Sequence, residues 1–166
     1  MSAPTSFFIL SSTEYDFRMS FNYELDYTHL NLRKKFYLYK VGKGEQGVLL
    51  VQPYKDEILP HWRFRTPKIA HQSAKKILNL FYRYKKNEDF IGMDMARKFL
   101  QMGYTRSRRY ANHASGTKYD NDGDLLPFDN DEQKARSARI FYEYWMKVES
   151  DQTYMDLRIG WKILFG

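Results

Sequence analysis

Two stretches of the chain interleave arginine with aromatic rings. His61-Trp62-Arg63-Phe64-Arg65 alternates them, and the run GYTRSRRYANH, residues 103 to 113, sets Arg106, Arg108 and Arg109 among two tyrosines and His113. A guanidinium can grip a phosphate through two parallel hydrogen bonds, and a flat ring can stack on an exposed base. The mixture therefore suits nucleic acid better than lysine-rich charge alone. At about 100° per residue, a helix over the second stretch puts Arg106, Arg109, Tyr110 and His113 on one face and Tyr104, Ser107 and Ala111 on the opposite one. One side is then available to bind and the other to pack. The competing account makes Trp62, Phe64 and Tyr110 core residues and pairs the arginines with carboxylates of the C-terminal third.

A third candidate is the loop Gly42-Lys43-Gly44-Glu45-Gln46-Gly47. Glycine-rich turns can offer backbone N–H groups to an anion, with Lys43 as a phosphate contact, although the spacing is not that of a P-loop. A hairpin turn that needs positive φ explains the same glycines. For proton transfer the candidates are Glu45, Asp94 and His61. Asp94 precedes Arg97 by three residues and Lys98 by four, so a helical ion pair accounts for it equally well. No zinc-protease or serine-hydrolase signature is present, and His29, His61, His71 and His113 lack ligand spacing. Asp120-Asn121-Asp122-Gly123-Asp124 resembles part of a calcium loop, but Leu125 stands where such a loop needs glycine. No metal and no cofactor is expected.

Charge is distributed unevenly. The net charge is +7; residues 1–60 carry 7 Lys+Arg and 7 Asp+Glu, residues 61–118 carry 14 and 3, and residues 119–166 carry 6 and 10. All the excess positive charge sits in the middle third, where it would attract a polyanion. The absence of cysteine excludes disulfides and thiolate chemistry. No segment approaches the roughly 20 apolar residues of a membrane span, so a cytoplasmic protein without membrane association is expected.

These residues need elements to position them. Residues 1–22 read as an N-terminal arm with a short strand at 7–10, and residues 23–166 as a single domain. Phe36 to Val41 and Gly47 to Pro53 are β-rich runs around the glycine loop, which predicts a hairpin. Thr66-Pro67 starts a helix whose outer surface carries Lys68, Lys75, Lys76, Arg83 and Lys86. A second helix is expected from Glu88 to Met102, ended by Gly103 in the left-handed conformation. Residues 112–131 read as loop; a further helix runs from about Asp131 to Ser150, and a short one from Tyr154 to Phe165. The fold class expected is α+β, a small antiparallel hairpin or sheet packed against a cluster of helices.

The blocks YKVGKGEQGVLLVQPYK, ILPHWRFRTP, GMDMARKFLQMGYTR and RRYANH, spread over Tyr23 to Val148, resemble a family of uncharacterised proteins, a domain of unknown function found in bacteria, fungi and phages of cyanobacteria. The resemblance implies a single cytoplasmic domain, with a virus-encoded accessory protein as one setting. It supplies no activity and no site residues.

The expected function is therefore drawn from the residues. It is a nucleic-acid-binding accessory protein of weak sequence preference, its phosphate contacts drawn from Lys43, Arg63, Arg65, Lys68, Lys75, Arg106, Arg108 and Arg109, with Tyr110 and His113 beside them. Two alternatives stay open: a small enzyme acting on a phosphorylated or nucleotide-like substrate, and a protein-interaction module.

Overall fold

The structure is a computed structural model that describes residues 11, 12 and 20–166; the strand expected at 7–10 lies outside them. Among the described residues there is no strand, and the expected hairpin is absent. The fold is a helical bundle, not α+β. Its helices are α1 (Tyr54–Ile58), α2 (Pro67–Lys86), α3 (Phe90–Asn112), α4 (Glu132–Glu149) and α5 (Gln152–Phe165).

Helix starts follow local chemistry. Thr66 caps α2 by accepting from Ile69 N at 3.2 Å, with Pro67 in the first turn. Asp89, Asp131 and Asp151 cap α3, α4 and α5 in the same way, each accepting from the backbone N–H three residues on. α3 is the axis of the fold: every residue from Phe90 to Leu100 is buried, polar ones included. Helices α2 and α4 pack along it, α5 crosses one end, and the irregular segment 21–62 covers the remaining side.

Gly103 does not end α3. It lies buried within the helix, where a Cβ would overlap the ring of Phe141 on α4. Gly103, Ser107 and Ala111 form a stripe of small residues at four-residue spacing, all buried, and α4 answers with Ala135, Ala138 and Phe141. The glycine is required for close helix approach rather than for a left-handed turn.

The hairpin fails for a physical reason. Its two runs bury Tyr39, Val41, Val48 and Val51 and leave Tyr37, Leu49 and Leu50 outside, but no strand ladder pairs the backbone. Consecutive turns close it instead, through Gln46 N to Lys43 O at 3.1 Å, Val48 N to Glu45 O at 3.2 Å and Leu50 N to Gly47 O at 3.0 Å. The outward carbonyls of Gly44 and Gln46 accept from the Arg97 guanidinium and the Lys98 ammonium of α3, the second at 2.6 Å. The Trp161 indole N–H donates to Tyr39 O at 2.9 Å. Side chains from the buried helix and from α5 thus replace the partner strand, so β-propensity has no ladder to act on.

Candidate functional site

The basic residues divide into a buried set and a surface set. In the buried set, Asp94 on α3 is fully enclosed and accepts from the Tyr154 hydroxyl at 2.5 Å, from the Tyr39 hydroxyl and from Arg97 Nη2 at 2.6 Å; Lys98 Nζ stands 3.9 Å away. Burial alone would raise the Asp94 carboxyl, but Arg97 and Lys98, aided by the two hydroxyls, hold it down at about 2. Lys98 is boxed between the rings of Phe21 and Tyr39, 5.1 and 5.2 Å from their centroids, and burial pulls its pKa down to about 7 despite the attraction of Asp94. The helical ion pair expected from spacing forms, and it clasps the glycine loop to α3 and α5. Fully buried, Asp94 cannot meet a substrate.

The surface set is built on α2. Lys68, Lys75, Lys76, Arg83 and Lys86 are all exposed and fall within one face at 100° per residue, interspersed with Gln72 and Asn79. The helix carries no Asp or Glu at all. Of its cations only Lys85 is ion-paired, to Asp151 of α5 at 2.7 Å. Segment 62–65 adds to this face by simple alternation. Trp62 and Phe64 turn inward, the Trp62 indole N–H donating to Phe99 O at 3.0 Å and the Phe64 ring lying 5.7 Å from Tyr110. Arg63 and Arg65 consequently point outward and are exposed. Arg63, His61, Gln72 and Lys76 line one shallow cleft of about 330 Å³.

His61 and Lys76 also belong to a larger cleft, of about 910 Å³, between α2 and the start of α3. Its floor is a polar knot. Arg33 donates from Nη2 to Glu57 at 2.8 Å and from Nε to Asp89 at 3.3 Å. The Tyr84 hydroxyl donates to Glu57 at 2.8 Å, and the Tyr54 hydroxyl to Asp89 at 2.7 Å. Phe36, Phe90 and Trp161 contribute aromatic rings to its lining, and Lys76 and Arg83 contribute cations.

The remaining candidates lie elsewhere. Lys43, Glu45 and Arg106 share a separate groove of about 430 Å³ with Tyr23, and Glu45 accepts from the Thr105 hydroxyl at 2.9 Å. In the glycine loop the Lys43 N–H donates to Gln46 Oε1 at 2.9 Å. Its glycines do adopt positive φ, 70° at Gly42, 56° at Gly44 and 77° at Gly47. Arg108 and Arg109 are exposed, but Tyr110 and His113 pack inward with the 113–128 loop. His113 is 7% exposed with Nδ1 at 3.0 Å from Pro127 O, and the Tyr110 ring lies against Gly116. In the acidic loop Asp120 Oδ1 accepts from the N–H of Asp122 and of Asp124, both at 2.9 Å, so that carboxylate closes a turn.

Glu45, Asp94 and His61 therefore share no cleft. The structure brings Arg63 to the cations of α2 and sends Arg106 to another groove. Sequence reasoning missed Arg33, Phe36, Tyr54, Glu57, Asp89 and Trp161 as cleft residues. They come from four places in the chain and share no period.

What these features define is a class: a helical domain with an ion-paired core under an irregular N-terminal cover, and a basic helix face beside a large mixed cleft. The chain belongs to the family described as "Domain of unknown function (DUF4385)", whose profile matches residues 22–163. No curated protein and no solved structure matches it. Among the described residues, no helix is long and apolar enough to cross a membrane.

Proposed function

We propose that the protein binds the phosphate backbone of nucleic acid through the outer face of α2, extended by Arg63 and Arg65, with weak sequence preference. The observation that carries this reading is the charge on that face: among the described residues Lys68, Lys75, Lys76, Arg83 and Lys86 form no ion pair, and the helix bears no carboxylate to neutralise them. Lys68 and Lys86 are 18 residues apart, about 27 Å at the helical rise, so the face is long enough to follow several phosphates. Unpaired lysines neutralise phosphate and release its counterions without reading bases. Arg106 lines a separate groove with Lys43, and Arg108 and Arg109, exposed on α3, supplement the α2 face.

Catalysis by Glu45, Asp94 and His61 draws no support, since no cleft unites them and one is fully enclosed. The test of the binding reading is the triple charge reversal Lys68→Glu, Lys75→Glu, Lys86→Glu. All three side chains are exposed, so the fold should persist by circular dichroism. Affinity for a single-stranded or duplex oligonucleotide at low salt should fall by more than a hundredfold, since each reversal replaces an attraction with a repulsion. Unchanged affinity would remove α2 as the interface.

A further inference from the structure

The large cleft beside α2 is not explained by backbone binding alone, because aromatic rings, Phe36, Phe90 and Trp161 among them, share its lining with the charged groups. We propose that it receives one nucleotide unit, with the base against the wall formed by Phe36 and Trp161 and the phosphate on Lys76 and Arg83 beside His61.

The argument begins with which charges in the cleft are already satisfied. Glu57 and Asp89 are held by Arg33 at 2.8 and 3.3 Å and each accepts from a tyrosine hydroxyl, so both carboxylates have hydrogen-bonded partners, while Arg83 acts on Glu57 only through its field. Burial would raise the Glu57 carboxyl, yet the hydrogen bonds from Arg33 and Tyr84 bring it below its ordinary value. That leaves Lys76, Arg83 and Glu88 as charged groups without an ion pair. Two cations beside a cleft of about 910 Å³, within the size range of small-ligand sites, select an anionic ligand.

The aromatic lining narrows the choice. Phe36 is 49% exposed, a large apolar ring left in water, and it is backed edge-on by Trp161 at 6.3 Å and Phe165 at 6.2 Å. Trp161 is in turn fixed by Phe90 at 4.8 Å and by its indole hydrogen bond to Tyr39 O. Such a braced ring is a stacking platform. Inorganic phosphate would leave it uncovered, and a neutral aromatic would leave Lys76 and Arg83 unmet.

Glu88 completes the set. It sits at the junction of α2 and α3 with φ of 54°, a conformation a non-glycine residue adopts at a cost, and its exposed carboxylate is an acceptor only. It would repel a bare polyanion, whereas the hydroxyls of a sugar or the amino group of a base can donate to it. A nucleotide unit matches all three features.

The unit can come from a free nucleotide or from a strand lying on α2 that turns one base into the cleft. The strand-bound form rests on the backbone reading; the free form does not. The probes are adenosine monophosphate, inorganic phosphate, a single-stranded oligoadenylate and the same strand made abasic, titrated calorimetrically against the full chain and against Phe36→Ala and Arg83→Ala. Both substituted side chains are exposed and outside the core, and their thermal unfolding should match that of the parent.

The expected result is that the monophosphate binds more tightly than phosphate, that each variant loses about tenfold, the equivalent of one stacked base or one charged contact, and that the abasic strand binds more weakly than the intact one. If the strands bind while the abasic form and Phe36→Ala match the parent, the cleft proposal is overturned and the backbone reading stands. If the monophosphate binds and no strand does, the cleft proposal stands as a free-nucleotide site and the backbone reading falls. If phosphate binds as tightly as the monophosphate, the aromatic wall has no part and the proposal is overturned.

Discussion

Lys98 shows how one residue carries both architecture and a pH signature. Its ammonium donates to Gln46 O at 2.6 Å and is enclosed by two rings, and burial lowers its pKa from an ordinary 10.5 to about 7. Between those values the unfolded chain binds the proton and the folded chain does not. Stability should therefore rise with pH across that window and be complete above the unfolded pKa. Burial raises Tyr39 and Tyr154 above their ordinary 10, an effect reinforced by Asp94. A folded-state pKa above the unfolded one removes stability as pH climbs past 10, so the curve should turn over there. At the acid end Asp94, held near 2 against an ordinary 3.8, gives stability that is full above 3.8 and lost as pH falls through 2. Urea unfolding at a series of pH values checks the first window directly. In Lys98→Met the rise from pH 7 should shrink without vanishing, because Lys162 is also lowered by burial.

At the level of elements, the tightest contact is between α3 and α4, where Gly103, Ser107 and Ala111 let the helices approach. Gly103→Ala should destabilise the fold by about 1–3 kcal/mol through overpacking against Phe141, despite alanine's better helix propensity. The shift of the urea midpoint measures it; a stabilised variant would show that the ring can move aside. The same glycine marks what the sequence could and could not reveal. Thr66-Pro67 and Asp131 announced their helices because a cap is a contact three residues long. Gly103 read as a helix end because its reason, a ring on a helix near residue 141, is distant in the chain. The hairpin misled likewise: the runs are β-rich, but the donors that meet their backbone carbonyls are Arg97, Lys98 and Trp161, far downstream. Asp94, by contrast, formed the pair its spacing suggested.

For the molecule as a whole, the uneven charge along the sequence does become an uneven surface, though not a single one. Of the fourteen lysines and arginines between His61 and Lys118, Lys85, Arg97 and Lys98 are ion-paired and the other eleven form no ion pair among the described residues. Five of these lie on α2 with Arg63 beside them, while Arg106 faces the groove with Lys43. The basic face of α2 was visible in the sequence as a helix with basic outer positions. The cleft was not, because Arg33, Glu57 and Asp89 meet only through the fold. The central claim is that unpaired cations on α2 meet phosphates. Its most direct measurement is the affinity of the full chain for a labelled single-stranded oligonucleotide as salt is raised from about 50 to about 200 mM. With five phosphates neutralised, log affinity against log salt should fall with a slope of about −3.5, steepening to about −4.5 on duplex. A slope near zero, or no binding at the lowest salt, would contradict the account.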